Sequence, residues 1–223
     1  MTAAIVTSTT KDLDGRRLYL CCPDRPDLAS FLDACIRGGV DVVQLREKSL
    51  EARPLLRRAR VALEVCRDHG VPFVLNDRPD LALEVGADGV HVGQDDAPPS
   101  LARRLMGPDA LVGLSTHEPA QLEAAGDEPA DYLSAGPVNA TPTKPGRAGT
   151  GLGYVSYASA RARRPVFVTG GVTPQTVRAM VEAGGRRFVV VRFLTEADDA
   201  EARARELRRS LDDALAAVDH PAE

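Results

Sequence analysis

Val43-Gln44-Leu45-Arg46-Glu47-Lys48 ends a short apolar run and sends a carboxamide, a guanidinium and an ammonium out on alternate residues. Side chains alternate faces along an extended segment, so Gln44, Arg46 and Lys48 point the same way. An apolar strand that exits into two cations and a carboxamide on one face suits a polyanion, a diphosphate above all, because Arg offers a planar fork and Lys a point charge. An ordinary solvated strand exit has the same local pattern.

Outward from that run, short apolar stretches alternate with amphipathic ones along the chain. The candidate strands are Leu18–Cys22, 40–45, Phe73–Asn76, Gly89–Val92, 110–115, Tyr132–Ala135, Val166–Thr169 and 188–191, eight in all. Between them Leu28, Phe31, Leu32, Cys35 and Ile36 keep helical spacing, as do Leu55, Ala59, Ala62, Leu63 and Cys66, with Gly38 and Gly70 placed as stops. Thr173-Pro174 reads as an N-cap with proline at the first helical position, ahead of Val177, Met180, Val181 and a terminating Gly184. Leu207, Leu211, Ala214, Leu215 and Val218 form the last apolar stripe. Eight strand and helix units predict an α/β chain folded as a single-domain (β/α)8 TIM barrel over 15–218, with an N-terminal extension at 1–14 and a tail at 219–223. Chemistry on such a barrel gathers at the carboxyl ends of the strands.

The 223 residues include 27% charged and 43% hydrophobic side chains, with a net charge of −4, so there is no global basic field and nucleic acid is not an expected partner. The arginine pairs Arg103-Arg104, Arg163-Arg164, Arg186-Arg187 and Arg208-Arg209 read as solvated faces. Cys21, Cys22, Cys35 and Cys66 lack a C-x-x-C spacing and read as buried, reduced thiols. No segment approaches membrane-spanning length and residues 1–14 lack the apolar core of a secretion signal, which predicts a cytoplasmic protein.

Asn76-Asp77 ends the third strand and Asp95-Asp96 follows the fourth. Neighbouring strand ends bring one carboxylate from each into a shared site, and two carboxylates with open water positions suit Mg²⁺. Turn-forming Asx residues are the other reading. After the sixth strand, Thr141-Pro142-Thr143-Lys144 puts two hydroxyls and an ammonium on a long loop, either a lid over the mouth or a surface loop. Gly170-Gly171 stands where barrels bind phosphate through backbone amides, and equally where a tight turn needs glycine. Gly149-Thr150-Gly151-Leu152-Gly153 is no dinucleotide fingerprint, because Tyr154 stands at the third glycine position. Gly113-Leu114-Ser115-Thr116-His117 is no nucleophile elbow, so Ser115 reads as a hydrogen-bonding group, and His91 as a packed polar residue.

Taken in order, Gln44-Leu45-Arg46-Glu47-Lys48, Asn76-Asp77, Ala87 to Asp96, Gly113-Leu114-Ser115 and Thr141-Pro142-Thr143-Lys144 resemble the motif series of the thiamine phosphate synthase family, from Leu18 to about Leu194. The resemblance implies a barrel that joins hydroxymethylpyrimidine diphosphate to thiazole phosphate and releases pyrophosphate with Mg²⁺ bound. It implies that Gln44, Leu45, Arg46, Glu47, Lys48, Asn76, Ser115 and Lys144 bind the pyrimidine diphosphate, with Lys48, Ser115 and Lys144 catalytic. It further implies that Asp77 and Asp96 hold the metal, and that Thr141, Thr143, Gly171, Val191 and Arg192 bind the thiazole phosphate. Two departures stand out: Val191-Arg192-Phe193 where many relatives have a small serine, and Cys21-Cys22-Pro23 at the first strand's end. The rivals are a thiazole tautomerase of the TenI type, using His117, and a non-catalytic phosphate-binding barrel. The resemblance also allows a homo-oligomer, though no surface patch in the sequence specifies one.

Overall fold

Each apolar run pairs with the run that follows it, and the eighth pairs back with the first. The computed structural model describes residues 13–141 and 148–220. Its strands are β1 (Leu18–Cys22), β2 (Val42–Leu45), β3 (Phe73–Asn76), β4 (Gly89–Val92), β5 (Leu111–Thr116), β6 (Tyr132–Ala135), β7 (Val166–Thr169) and β8 (Arg187–Val190), closed in sequence order into a parallel barrel. The helices are α1 (Leu28–Arg37), α2 (Ala52–Asp68), α3 (Pro79–Val85), α4 (Pro99–Met106), α5 (Pro119–Ala124), α6 (Gly151–Arg161), α7 (Pro174–Glu182), α8 (Arg192–Thr195) and α9 (Ala200–Asp219). The (β/α)8 barrel expected from the alternation is the fold.

Alternate strand residues divide between two environments. Tyr19, Val42, Val74, Leu111, Tyr132 and Phe167 pack inside the barrel together with Leu13, which the sequence reading assigned to the extension. The rings of Tyr19, Tyr132 and Phe167 meet at centroid separations of 5.2 to 6.0 Å and close the floor. The other set, including Leu18, Leu20, Val43, Leu45, Phe73, Leu75 and Val90, packs against the helices.

The helical stripes fall where the spacing puts them, with Leu55, Ala59, Ala62, Leu63 and Cys66 buried along α2 and Leu207, Leu211, Ala214 and Leu215 along α9. Gly38 has a reason beyond stopping α1. A Cβ there would lie 2.5 Å from Ala204 Cβ and 2.6 Å from the Glu201 carbonyl oxygen, so the missing side chain lets α9 close against α1. β2 starts two residues later than the apolar run, and just before it the Asp41 carboxylate accepts the backbone N–H groups of Arg17 (2.8 Å) and Leu18 (2.9 Å). The short α8 has no counterpart in the sequence reading. No helix among the described residues is long and apolar enough to cross a membrane.

Candidate active site

Two residues on from the aromatic floor, the same strand faces turn polar: Tyr19 leads to Cys21, Val42 to Gln44, Val74 to Asn76, Tyr132 to Ser134 and Phe167 to Thr169. With His91, Ser115 and Arg46 these side chains line a cleft of about 70 Å³ at the carboxyl ends of the strands. Strand register sets neighbours side by side, with Cys21 across from Gln44, Asn76 from His91 and Ser115 from Ser134. Gln44, Asn76, His91, Ser115 and Ser134 are all buried. Buried polar groups persist where hydrogen bonds replace water. Accordingly Gln44 Nε2 donates to the Tyr19 hydroxyl at 2.9 Å, and Ser115 Oγ lies 2.9 Å from His91 Nε2.

Beside this cleft, at the end of β3, Asp77 is the single non-glycine residue among those described with a positive φ, 61°. Asp tolerates that conformation better than most residues, and the structure holds it by the Asp77 N–H donating to the His91 carbonyl at 2.8 Å. The turn aims the carboxylate at Lys48, whose Nζ is 2.7 Å from Asp77 Oδ2, and at Asp96. Burial raises the Asp77 carboxyl above its usual range; Lys48 opposes the shift and Asp96 adds to it. Asp96 Oδ2 in turn accepts the Gly93 N–H at 2.9 Å. Two crowded carboxylates beside one ammonium favour a further cation. Among the described residues no group of three or more His, Cys, Asp or Glu side chains converges. Mg²⁺ needs no such cage, because it uses one or two carboxylates and completes its shell with water and phosphate oxygens, so this pair fits it.

On the opposite side of the mouth a cavity of about 470 Å³ opens between the ends of β6, β7 and β8, with Thr141, Gly170, Gly171, Thr173, Val191 and Arg192 in its wall. Gly171 has φ +77°, and a Cβ there would meet Asn139 Nδ2 at 2.8 Å, so glycine serves both the turn and the opening. The loops after the seventh and eighth strands plus a short extra helix form the recurrent phosphate site of this architecture. α8 is such a helix. Arg192 is half exposed, with Nη1 3.8 Å from Glu196 Oε1, and it lines the cavity.

The structure thus brings Gln44, Arg46, Asn76 and Ser115 into one cleft, Lys48, Asp77 and Asp96 into one corner, and Thr141, Gly171, Val191 and Arg192 around the second cavity. Leu45 faces the helix layer, buried in the outer core. Glu47 turns back on its own loop, where Oε1 accepts the Ser49 N–H at 2.7 Å and the Ser49 hydroxyl at 2.6 Å. Thr143 and Lys144 lie outside the described residues. His117 is held at the edge, its N–H donating to Gln121 Oε1 and its Nδ1 against the Gly136 carbonyl. Sequence reasoning did not single out Gln94, whose Nε2 donates to the Ser115 carbonyl at 2.6 Å, while His91 is the packed polar residue expected, buried and bonded to Tyr132 and Ser115. The signal available for His91 was a polar residue inside an otherwise apolar strand.

A family model described as thiamine monophosphate synthase matches residues 18–194. Thiamine-phosphate synthase of Acidothermus cellulolyticus is 50% identical over 198 residues, covering 86% of this chain and 93% of that protein. Its namesake from Thermobifida fusca is 48% identical over 213 residues, covering 93% and 97%. Among solved structures, thiamine phosphate pyrophosphorylase from Pyrococcus furiosus superposes with a TM-score of 0.81 at 27% identity, covering 93% of this chain and 98% of that one. With its motifs, its closed barrel and these relatives in agreement, the chain belongs to the thiamine monophosphate synthase family.

Proposed function

We propose that the barrel mouth couples 4-amino-2-methyl-5-hydroxymethylpyrimidine diphosphate with 4-methyl-5-(2-phosphooxyethyl)thiazole, or its carboxylated form, giving thiamine phosphate and pyrophosphate. The observation that carries this reading is the Lys48, Asp77 and Asp96 corner, set beside a cleft that holds Gln44, Arg46 and Asn76. A tautomerase acting on the thiazole alone has no use for that corner, and a phosphate sensor needs only the second cavity.

In this reading Gln44 and Asn76 orient the pyrimidine, with Leu45 and Glu47 contributing through the backbone of the same segment. Arg46, Lys48 and Lys144 grip the diphosphate. The carbon–oxygen bond to the diphosphate breaks first, and the thiazole nitrogen captures the resulting pyrimidine cation. Lys48, Lys144 and the Ser115 hydroxyl stabilise charge on the leaving group; removal of one such fixed donor costs roughly 3 kcal/mol of barrier. Asp77 and Asp96 would hold Mg²⁺, which when bound neutralises charge on the departing pyrophosphate. Thr141, Thr143, the Gly171 amide and the backbone at Val191 and Arg192 hold the thiazole phosphate. No side-chain base is required. A reducing cytoplasm suits this chain, since none of its four thiols is joined in a disulfide.

The test is pyrophosphate release by the purified protein with both substrates and Mg²⁺, with each substrate omitted in turn. Release that depends on both supports the coupling. Conversion of the thiazole alone, or binding without turnover, overturns it.

A further inference from the structure

The hydrogen bonds beneath the cleft form one chain across the barrel. Cys21 Sγ donates to Gln44 Oε1 (2.9 Å) and Gln44 Nε2 donates to the Tyr19 hydroxyl (2.9 Å). The Tyr19 hydroxyl meets that of Tyr132 (3.0 Å), which meets His91 Nδ1 (3.2 Å). His91 Nε2 reaches Ser115 Oγ (2.9 Å), to which Ser134 Oγ also donates (3.4 Å).

Most of these partners, taken singly, work in either direction. Gln44 does not, because its amide nitrogen only donates and its oxygen only accepts. Because a buried O–H must also find an acceptor, that direction carries along the chain. The Tyr19 oxygen accepts a hydrogen bond from Gln44, and its own buried O–H donates to its other partner, the Tyr132 oxygen. The Tyr132 O–H then donates a hydrogen bond to His91 Nδ1, which must carry no proton, and a ring with no proton on Nδ1 carries it on Nε2. Ser115 Oγ therefore accepts from His91 and from Ser134. With both lone pairs engaged, its hydroxyl proton is left to donate into the cleft that Ser115 lines.

A second observation supports a built device. Gly113 sits beside the His91 and Tyr132 junction, and a Cβ there would lie 2.4 Å from both His91 Nδ1 and the Tyr132 hydroxyl oxygen. A side chain at 113 would force one of the two rings to shift. The phenols stay protonated: burial first, then the charge repulsion of a Tyr132 phenolate and the hydrogen bond to it, raises Tyr19 well above its ordinary value, and burial raises Tyr132 likewise.

We infer that His91 is a positioning residue, locked as the Nε2–H tautomer by the Gln44, Tyr19 and Tyr132 relay, and that it turns Ser115 into an obligate donor toward an acceptor atom of the bound pyrimidine diphosphate. The acceptor rests on the proposed function. The tautomer does not.

The test is long-range ¹⁵N–¹H NMR of protein labelled at histidine nitrogen, with the His91 signals assigned by a His91→Gln variant. The expected result at neutral pH is a neutral Nε2–H ring, retained in Ser115→Ala and lost to a mixture of tautomers in Tyr132→Phe. An Nδ1–H ring or an imidazolium in the unaltered protein overturns the inference without any variant having to fold. Kinetics supply the second arm. Tyr132→Phe should lower kcat by about tenfold, the equivalent of one neutral hydrogen bond, and leave KM for both substrates within about twofold. An unchanged kcat, with the fold intact by circular dichroism, also overturns it. Should the unaltered protein show no coupling activity, the proposed function fails while the tautomer measurement still decides the relay.

Discussion

Lys48 Nζ lies 2.7 Å from Asp77 Oδ2, joining the segment that leaves β2 to a strained turn at the end of β3. The Lys48 side chain is 54% exposed, so the bond contributes little to folding, at most about 1 kcal/mol for an exposed pair. Its value is placement. The ammonium is held at the rim, where a diphosphate would draw it from Asp77 and leave that carboxylate to a metal.

Lys48→Ala should therefore unfold at nearly the same denaturant midpoint, with a stability change within ~0.5 kcal/mol. Turnover should fall by about 100-fold. Steady-state kinetics and urea titration of the same preparation separate the two effects, and a large loss of stability would argue that Lys48 is structural.

Asp77→Asn keeps a side chain that tolerates positive φ and removes the like charge facing Asp96. Stability should hold or rise by ~0.5 kcal/mol, while turnover drops by at least about 100-fold and added Mg²⁺ no longer rescues protein treated with a chelator. Thermal melts and a Mg²⁺ titration of the rate check both halves. Near-normal turnover removes Asp77 from the metal site.

Gly38→Ala tests the fold alone. The added Cβ has no room between Ala204 and the Glu201 carbonyl, so α9 must shift from α1. A loss of about 1–3 kcal/mol is expected, with KM for both substrates unchanged in whatever protein folds. Equilibrium unfolding measures it.

Buried thiols set a pH dependence. Burial pushes the Cys35 thiol up to about 12, and it raises Cys22 and Cys66 as well. Their folded values lie above the ordinary thiol value of 9.0, so the native state holds these protons more tightly. The resulting stability is fully present below about pH 9 and fades as pH rises toward 12. Urea midpoints measured from neutral pH upward should decline across that window, and Cys22, Cys35 and Cys66 should resist alkylation in native protein until the decline begins. Rapid native alkylation at pH 8 would contradict their burial.

Much of this was legible because the barrel repeats one unit. Apolar runs four to six residues long mark the strands, and stripes such as Leu55, Ala59, Ala62, Leu63 and Cys66 mark buried helix faces. The strand ends then select the candidate site residues. Three things were not legible. Asp41 ties the foot of β2 to β1 through carboxylate hydrogen bonds to residues more than twenty positions away. The four-residue α8 is too short to show a period. The His91 relay joins side chains from five strands, and a linear chain carries no record of which rings will meet in the centre.

The most direct measurement is a crystal structure of the protein soaked with Mg²⁺ and pyrophosphate. The expected structure has a metal bound by the carboxylates of Asp77 and Asp96 and pyrophosphate held by that metal together with Arg46, Lys48 and Lys144. Pyrophosphate bound away from the mouth, or a mouth that binds it with the metal held by neither carboxylate, would contradict it.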